Sequence, residues 1–171
     1  MRRTKNRKML KRLSSLVCLA LIGSLQGSAE GATAADFETP EYRRSAGLSL
    51  IRAADAYAAG YTGSGITLGI ADSYVQLTHY EFRQKTGSAT VNPVPSGYIW
   101  TGDNDHGTHV GGIMAAAKDD EGMHGAAYNA NLLSGDVLSD PQNVNLRTAY
   151  NTFAAKPAVN VINNSWGSEA Y

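Results

Sequence analysis

Side chains able to move protons gather at two places in this chain. One is the stretch Asp103-Asn-Asp-His-Gly-Thr-His-Val-Gly-Gly-Ile-Met-Ala-Ala-Ala117. It opens on acids and an amide, passes through two histidines, and becomes small and apolar. That order predicts a helix start, with Asp103, Asn104 or Asp105 available to cap the first free N–H groups and a tightly packing body from Val110 to Ala117. His106 then stands at the mouth of the helix, where an imidazole can exchange protons with a substrate. Gly107, Gly111 and Gly112 each lower helix propensity by about 1 kcal/mol relative to Ala, so a helix carrying all three implies close backbone approach. The second place is Asp72, which ends the apolar run Ile66-Thr-Leu-Gly-Ile-Ala. Such a run reads as a buried parallel strand, and an acid at its carboxyl end lies where open α/β sheets place their sites. A different chemistry is also open. His106 and His109 are spaced i, i+3 and can share a helix face near Asp103 or Asp105, the pattern of a metal-dependent hydrolase.

These residues need a scaffold, and the chain supplies one. Ala35 to Arg44 reads as an exposed lead-in in which Pro40 breaks any early helix. Leu48 to Ala59 is Ala-rich and predicts a helix stopped by Gly60, with Leu48, Ile51, Asp55 and Tyr57 giving no clean stripe. After the first strand, residues 83–102 carry Gly, Pro, Ser and Asn and read as loop, with a short strand at Tyr98-Ile-Trp100. The family resemblance described below places a second strand at Ala130 to Leu138. Pro141 to Lys156 predicts a helix with Val144, Ala149, Tyr150 and Phe153 inward, and Pro157 ends it. Val159 to Asn164 is a further strand running into Ser165-Trp-Gly167. Strand, helix, strand, helix, strand implies an α/β protein with a parallel sheet and right-handed crossovers.

The composition has a split in it. The 171 residues balance 15 basic against 15 acidic, yet residues 1–12 hold seven of the Lys and Arg. Leu13 to Leu25 is then mostly apolar, and small residues follow through Ala32-Thr-Ala34. Basic, apolar, small is the order of a secretory signal peptide, too short to span a bilayer comfortably, with cleavage expected after Ala34 or, second, after Ala29. Residues 35–171 hold 8 basic and 14 acidic side chains, a net charge of −6. That charge argues against a nucleic-acid partner. The only cysteine, Cys18, lies in the signal, so the mature chain has neither disulfide framework nor thiolate metal site.

Three motifs carry a family resemblance. His106-Gly-Thr-His-Val-Gly-Gly112 closely resembles the histidine motif of the subtilisin-like serine proteases, with Gly111 or Gly112 where Ala is usual. Gly60-Tyr-Thr-Gly-Ser-Gly-Ile-Thr-Leu-Gly-Ile-Ala-Asp-Ser73 resembles their aspartate motif, departing at Tyr74, where Gly is usual. Asn163-Asn-Ser-Trp-Gly167 resembles the strand end that binds substrate backbone. The resemblance runs from about Tyr42 to Gly167 and implies a three-layer, parallel-sheet subtilisin-like fold, incomplete at the C-terminus. It divides the chain into a signal peptide (1–34), an exposed lead-in (35–47) and the N-terminal part of a peptidase domain (48–171).

The resemblance also assigns roles. Asp72 would accept the Nδ1 proton of His106 and stabilise the imidazolium, and His106 would act as base and then acid. Ser165, Trp166 and Gly167 would hold protein or peptide substrates as an added strand. The nucleophilic Ser and the oxyanion Asn would lie beyond Tyr171, so the chain made alone is expected to fold poorly and to be inactive. No cofactor is required. Calcium is the one ion implied, as a structural ion, with Glu81 in His79-Tyr-Glu-Phe82 its weak ligand candidate and the Asp119-Asp-Glu-Gly122 loop too short for the usual calcium loop. His124 and His109 would be structural. Arg52 to Gly65, the signal and Asn-Asn-Ser-Trp-Gly look most like bacterial autotransporter-type members. An exported, extracellular or cell-surface location follows, with membrane contact only through a C-terminal barrel outside this chain. The alternative class is a non-catalytic exported relative, or a pseudogene product, that keeps the cleft as a peptide groove.

Overall fold

A computed structural model of the chain describes residues 31–92, 96–97, 99, 105–138 and 144–167. The signal-peptide reading of 1–34 and the strand expected at 98–100 lie largely outside them. Four parallel strands form one sheet in the order β2-β3-β1-β4. They are β1 (Thr67–Asp72), β2 (Ala89–Thr90), β3 (Asn131–Asp136) and β4 (Val159–Asn163). β1 runs in register with β3 from Thr67↔Asn131 to Asp72↔Asp136. On its other side it pairs with β4 as far as Ile70↔Asn163.

Strand alternation sorts the core into two faces. Leu68, Ile70 and Leu132 pack with Val110 and Ala115 of one helix. Ala71 and Leu133 pack with Ala149 and Phe153 of another. The first helix spans His106–Ala115 and the second Val144–Ala154. The sheet therefore carries a helix on each face, the three-layer α/β arrangement that the motif resemblance implies. Gly135 faces Ala149 so closely that an added Cβ would stand 2.7 Å from the Ala149 Cβ.

Among the described residues, four short helices lie ahead of the sheet: α1 (Ala34–Phe37), α2 (Pro40–Arg44), α3 (Ala46–Leu50) and α4 (Ala53–Ala58). The His106–Ala115 and Val144–Ala154 helices are α5 and α6. Two expectations are corrected here. The lead-in is mostly exposed and enters the core at Glu41 and Tyr42, each only 1% exposed. Pro40 starts a helix rather than breaking one, because it sits in the first turn, where its missing N–H costs nothing, and Thr39 caps the Tyr42 N–H at 3.2 Å. The helix expected over Leu48–Ala59 is broken, since Arg52 is left-handed at φ 56°. Tyr42 ties the two pieces together, donating its hydroxyl to Leu48 O at 2.9 Å and accepting from Ala54 N at 3.3 Å. With Leu48, Ala53, Ala54 and Tyr57 it forms a separate apolar cluster. Ile51, by contrast, is exposed.

Candidate active site

Alternation along β1 puts Asp72 on the same face as Leu68 and Ile70, the face covered by α5. His106 opens α5 at that end of the sheet. The outcome is a contact of 2.7 Å between His106 Nδ1 and Asp72 Oδ1. Asp72 is fully buried, whereas the His106 side chain is 51% exposed. With its proton on Nδ1 the ring donates to the carboxylate, which fixes the tautomer and leaves Nε2 as the basic nitrogen. Asp72 Oδ1 also accepts the Ser73 N–H at 2.7 Å, and Oδ2 is buried with no hydrogen-bond partner among the described residues. A carboxylate so poorly solvated gains strongly from a cation beside it, and an imidazolium formed at His106 would supply that cation.

The loop after β1 holds α5 by its first turn. Asp105 occupies the cap position, but its side chain makes no cap bond. Ser73 Oγ takes that role from across the gap, accepting the Gly107 N–H at 2.9 Å. Thr108 Oγ1 returns the bond, accepting the Gln76 N–H at 2.9 Å. The backbones meet so closely that a Cβ on Gly107 would lie 2.3 Å from Ser73 O. Glycine is therefore required there, as the helix's low propensity implied. The other two glycines differ. A Cβ at Gly111 would touch Phe82, Ile70 and Leu132 at 3.3–3.4 Å, while Gly112 faces open space. Tyr74 is buried, at 6% exposure. Ser73 and Thr108 were missed by sequence reasoning. The signal was present in their hydroxyls, each beside a residue expected to do chemistry.

His109 is exposed, and among the described residues no three His, Cys, Asp or Glu side chains converge to hold a metal. Asp136, the register partner of Asp72, turns its carboxylate to the Leu138 N–H at 3.2 Å. Glu81 is buried, and its Oε1 accepts the Met123 N–H at 3.1 Å. Glu41 accepts the Asp119 and Asp120 N–H groups, both at 3.1 Å. Arg44 donates to Gly122 O at 2.9 Å. These side chains hold the 119–123 loop from within the protein, and Glu81 Oε2 is buried with no hydrogen-bond partner among the described residues. His124 is fully buried among Tyr42, Tyr57 and Tyr128.

Beyond β4, Ser165, Trp166 and Gly167 are exposed. Asn163 Nδ2 donates to Ser165 Oγ at 2.8 Å, and Trp166 Nε1 donates to Ala71 O at 2.8 Å. Tyr150, expected on the inner face of α6, instead lies at its edge and donates its hydroxyl to Asn164 Oδ1. Ala149 and Phe153 fill the inner positions, while the Val144 side chain lies outside the description.

A parallel sheet with a helix on each face and an Asp–His contact at its carboxyl edge defines an α/β protein. The chain belongs to the Subtilase family, whose family model matches residues 63–171. It is similar to an extracellular serine protease of Serratia marcescens, 43% identical over 136 residues, covering 77% of this chain and 12% of that protein. Subtilisin E of Bacillus subtilis (strain 168) is 34% identical over 104 residues, covering 57% of this chain and 26% of the relative. Among solved structures, the Aeromonas sobria serine protease in complex with the chaperone superposes with a TM-score of 0.53 at 25% identity, over 70% of this chain and 21% of that one. The chain thus spans about an eighth of the Serratia relative and about a quarter of subtilisin E. Among the described residues no helix is long and apolar enough to cross a membrane.

Proposed function

We propose that this chain supplies the acid and base of a serine-type endopeptidase. Asp72 orients His106. His106 takes the proton of a serine hydroxyl as general base and returns it to the leaving amine as general acid. Ser165, Trp166 and Gly167 hold the substrate backbone as an added strand. The serine and the oxyanion donors lie, on this reading, in sequence that follows Tyr171. The observation that carries the proposal is the 2.7 Å contact between a half-exposed imidazole and a fully buried carboxylate at the carboxyl edge of a parallel sheet. That geometry holds the ring in one tautomer and stabilises its charged form.

Residues 1–34 act as a signal peptide, and the mature protein works outside the cell on protein or peptide substrates, as part of an autotransporter-type polypeptide. The order of basic, apolar and small residues supports export, and the name of the Serratia relative agrees with it.

The test uses the complete translated product of the gene. It should cleave an unstructured peptide, be blocked by a serine-directed phosphonate, and survive a chelator. Loss of activity to the chelator with indifference to the phosphonate would favour the metal-dependent reading. Peptide binding without turnover would favour the non-catalytic one.

A further inference from the structure

The carbonyls of β1 point alternately to its two neighbours. Asn131 N bonds Ile66 O and Val137 N bonds Asp72 O, so even-numbered positions serve β3, while Thr67 N bonds Ala158 O beside β4. Ala71 therefore turns its carbonyl toward β4. The paired register with β4 ends one residue earlier, at Ile70↔Asn163. The chain leaves β1 there, and the Ala71 carbonyl is taken by the indole N–H of Trp166 at 2.8 Å. A side chain thus stands where the sheet would have used a main-chain amide. Two further side chains hold the departing segment, Tyr150 on Asn164 and Asn163 on Ser165. The split falls at the carboxyl edge of the sheet, the usual place for a crevice in such folds.

We propose that Trp166 is a positioning residue. Its indole N–H, bonded to the carbonyl immediately before Asp72, sets the spacing between the Asp72–His106 pair and the 165–167 segment that holds the substrate. This rests on the protease reading above. Trp166 remains 41% exposed, so its anchoring bond, rather than burial in the core, is what the side chain supplies. Loss of the bond frees the segment to move away from β1 while the Asp72–His106 contact stays in place.

The test compares the complete gene product with W166F and with a variant carrying benzothienylalanine at 166, which keeps the indole outline and lacks the N–H. Two substrates are used: an extended peptide that pairs along the segment, and a minimal single-residue ester that does not. KM for the extended peptide should rise about five- to tenfold, the value of one positioning hydrogen bond, a larger loss than the same variants show on the minimal ester. Unchanged KM in the isostere overturns the proposal, and so does equal slowing on both substrates, which marks a merely structural role. Wild-type protein that turns over neither substrate sinks the protease reading alone. The anchor is then judged by affinity for the uncleaved peptide, and equal affinity in wild type and isostere overturns it.

Discussion

The glycines of α5 offer a test in which two identical substitutions, five residues apart, act in opposite directions. In Gly107→Ala the new Cβ would meet Ser73 O at 2.3 Å, Ser73 C at 3.0 Å and Tyr74 O at 3.1 Å. All three are backbone atoms, so relief requires the helix mouth or the β1 loop to retreat by about 1 Å. Overpacking of this kind costs about 1–3 kcal/mol. The retreat also breaks the 2.9 Å bond from Gly107 N–H to Ser73 Oγ, worth about 1 kcal/mol. Against this, Ala gains about 1 kcal/mol of helix propensity. The net is about 1–3 kcal/mol of destabilisation, a melting point lower by about 2–10 °C. Because His106 adjoins Gly107, a shift of about 1 Å should lower kcat/KM by about 100-fold. Gly112→Ala keeps only the favourable term, since nothing lies within 4 Å of its Cβ. It should be more stable by up to about 1 kcal/mol, with activity unchanged. Thermal melting and peptide hydrolysis on the two variants of the complete gene product decide the matter. A Gly107→Ala protein that melts at or above wild type, or that keeps its activity, refutes the close-approach argument.

Asp72→Asn should lower kcat about 10⁴-fold, because the amide holds the wrong tautomer of His106. Its melting point should not fall, since Asp72 Oδ2 is a buried charged oxygen with no partner among the described residues and replacing it removes an ill-solvated charge; a large drop in melting temperature would count against that account. Lys85 donates to Tyr128 O at 2.7 Å and Ala130 O at 2.8 Å, yet burial lowers its pKa from 10.5 to about 8. The unfolded chain then binds the extra proton between those values, so this contribution to stability rises from pH 8 toward 10.5. Tyr57 and Tyr128 are shifted upward, mainly by burial, so the folded state keeps their protons longer and their contribution falls above pH 10. Melting temperature should therefore climb between about pH 8 and 10, and K85M should flatten that rise; an unchanged slope in K85M would remove Lys85 from the explanation. Glu41→Ala strands the Asp119 and Asp120 N–H groups and should cost about 2–4 kcal/mol, read by denaturant unfolding and by proteolytic nicking at the 119–122 loop.

The sheet was readable because buried parallel strands are short apolar runs closed by polar residues. Ile66–Asp72 and Val159–Asn164 each contain an observed strand, trimmed by a residue or more at the ends, and so does Ala130–Leu138, which the motif resemblance placed. β2 escaped notice because two residues, Ala89 and Thr90, have no periodicity to detect. The break in the helix after Leu50 was invisible for a different reason. Arg52 takes a conformation that sequence normally announces with glycine, and Tyr42, distant in the chain, supports both sides of the break. At the candidate site, the residue types of Asp72 and His106 pointed to proton chemistry, and alternation along β1 explains why they meet. The cap from Ser73 could not be foreseen, since Asp105 offered a nearer one and only the approach of α5 to the loop decides between them.

The strand order has a consequence for the time at which the site comes into being. β1 lies between β3 and β4, and both are synthesised after it. Until Asn131 has emerged, Asp72 ends a strand with no neighbour to hydrogen-bond, and α5 lacks Leu132, part of the surface it packs on. Every pairing in this sheet spans a long stretch of chain, which favours slow, late assembly over early local folding. A nascent polypeptide that has not yet released Asn131–Asp136 therefore lacks the strand beside Asp72 and part of the surface on which α5 carries His106. Synthesis itself then acts as a delay line for the contact between Asp72 and His106.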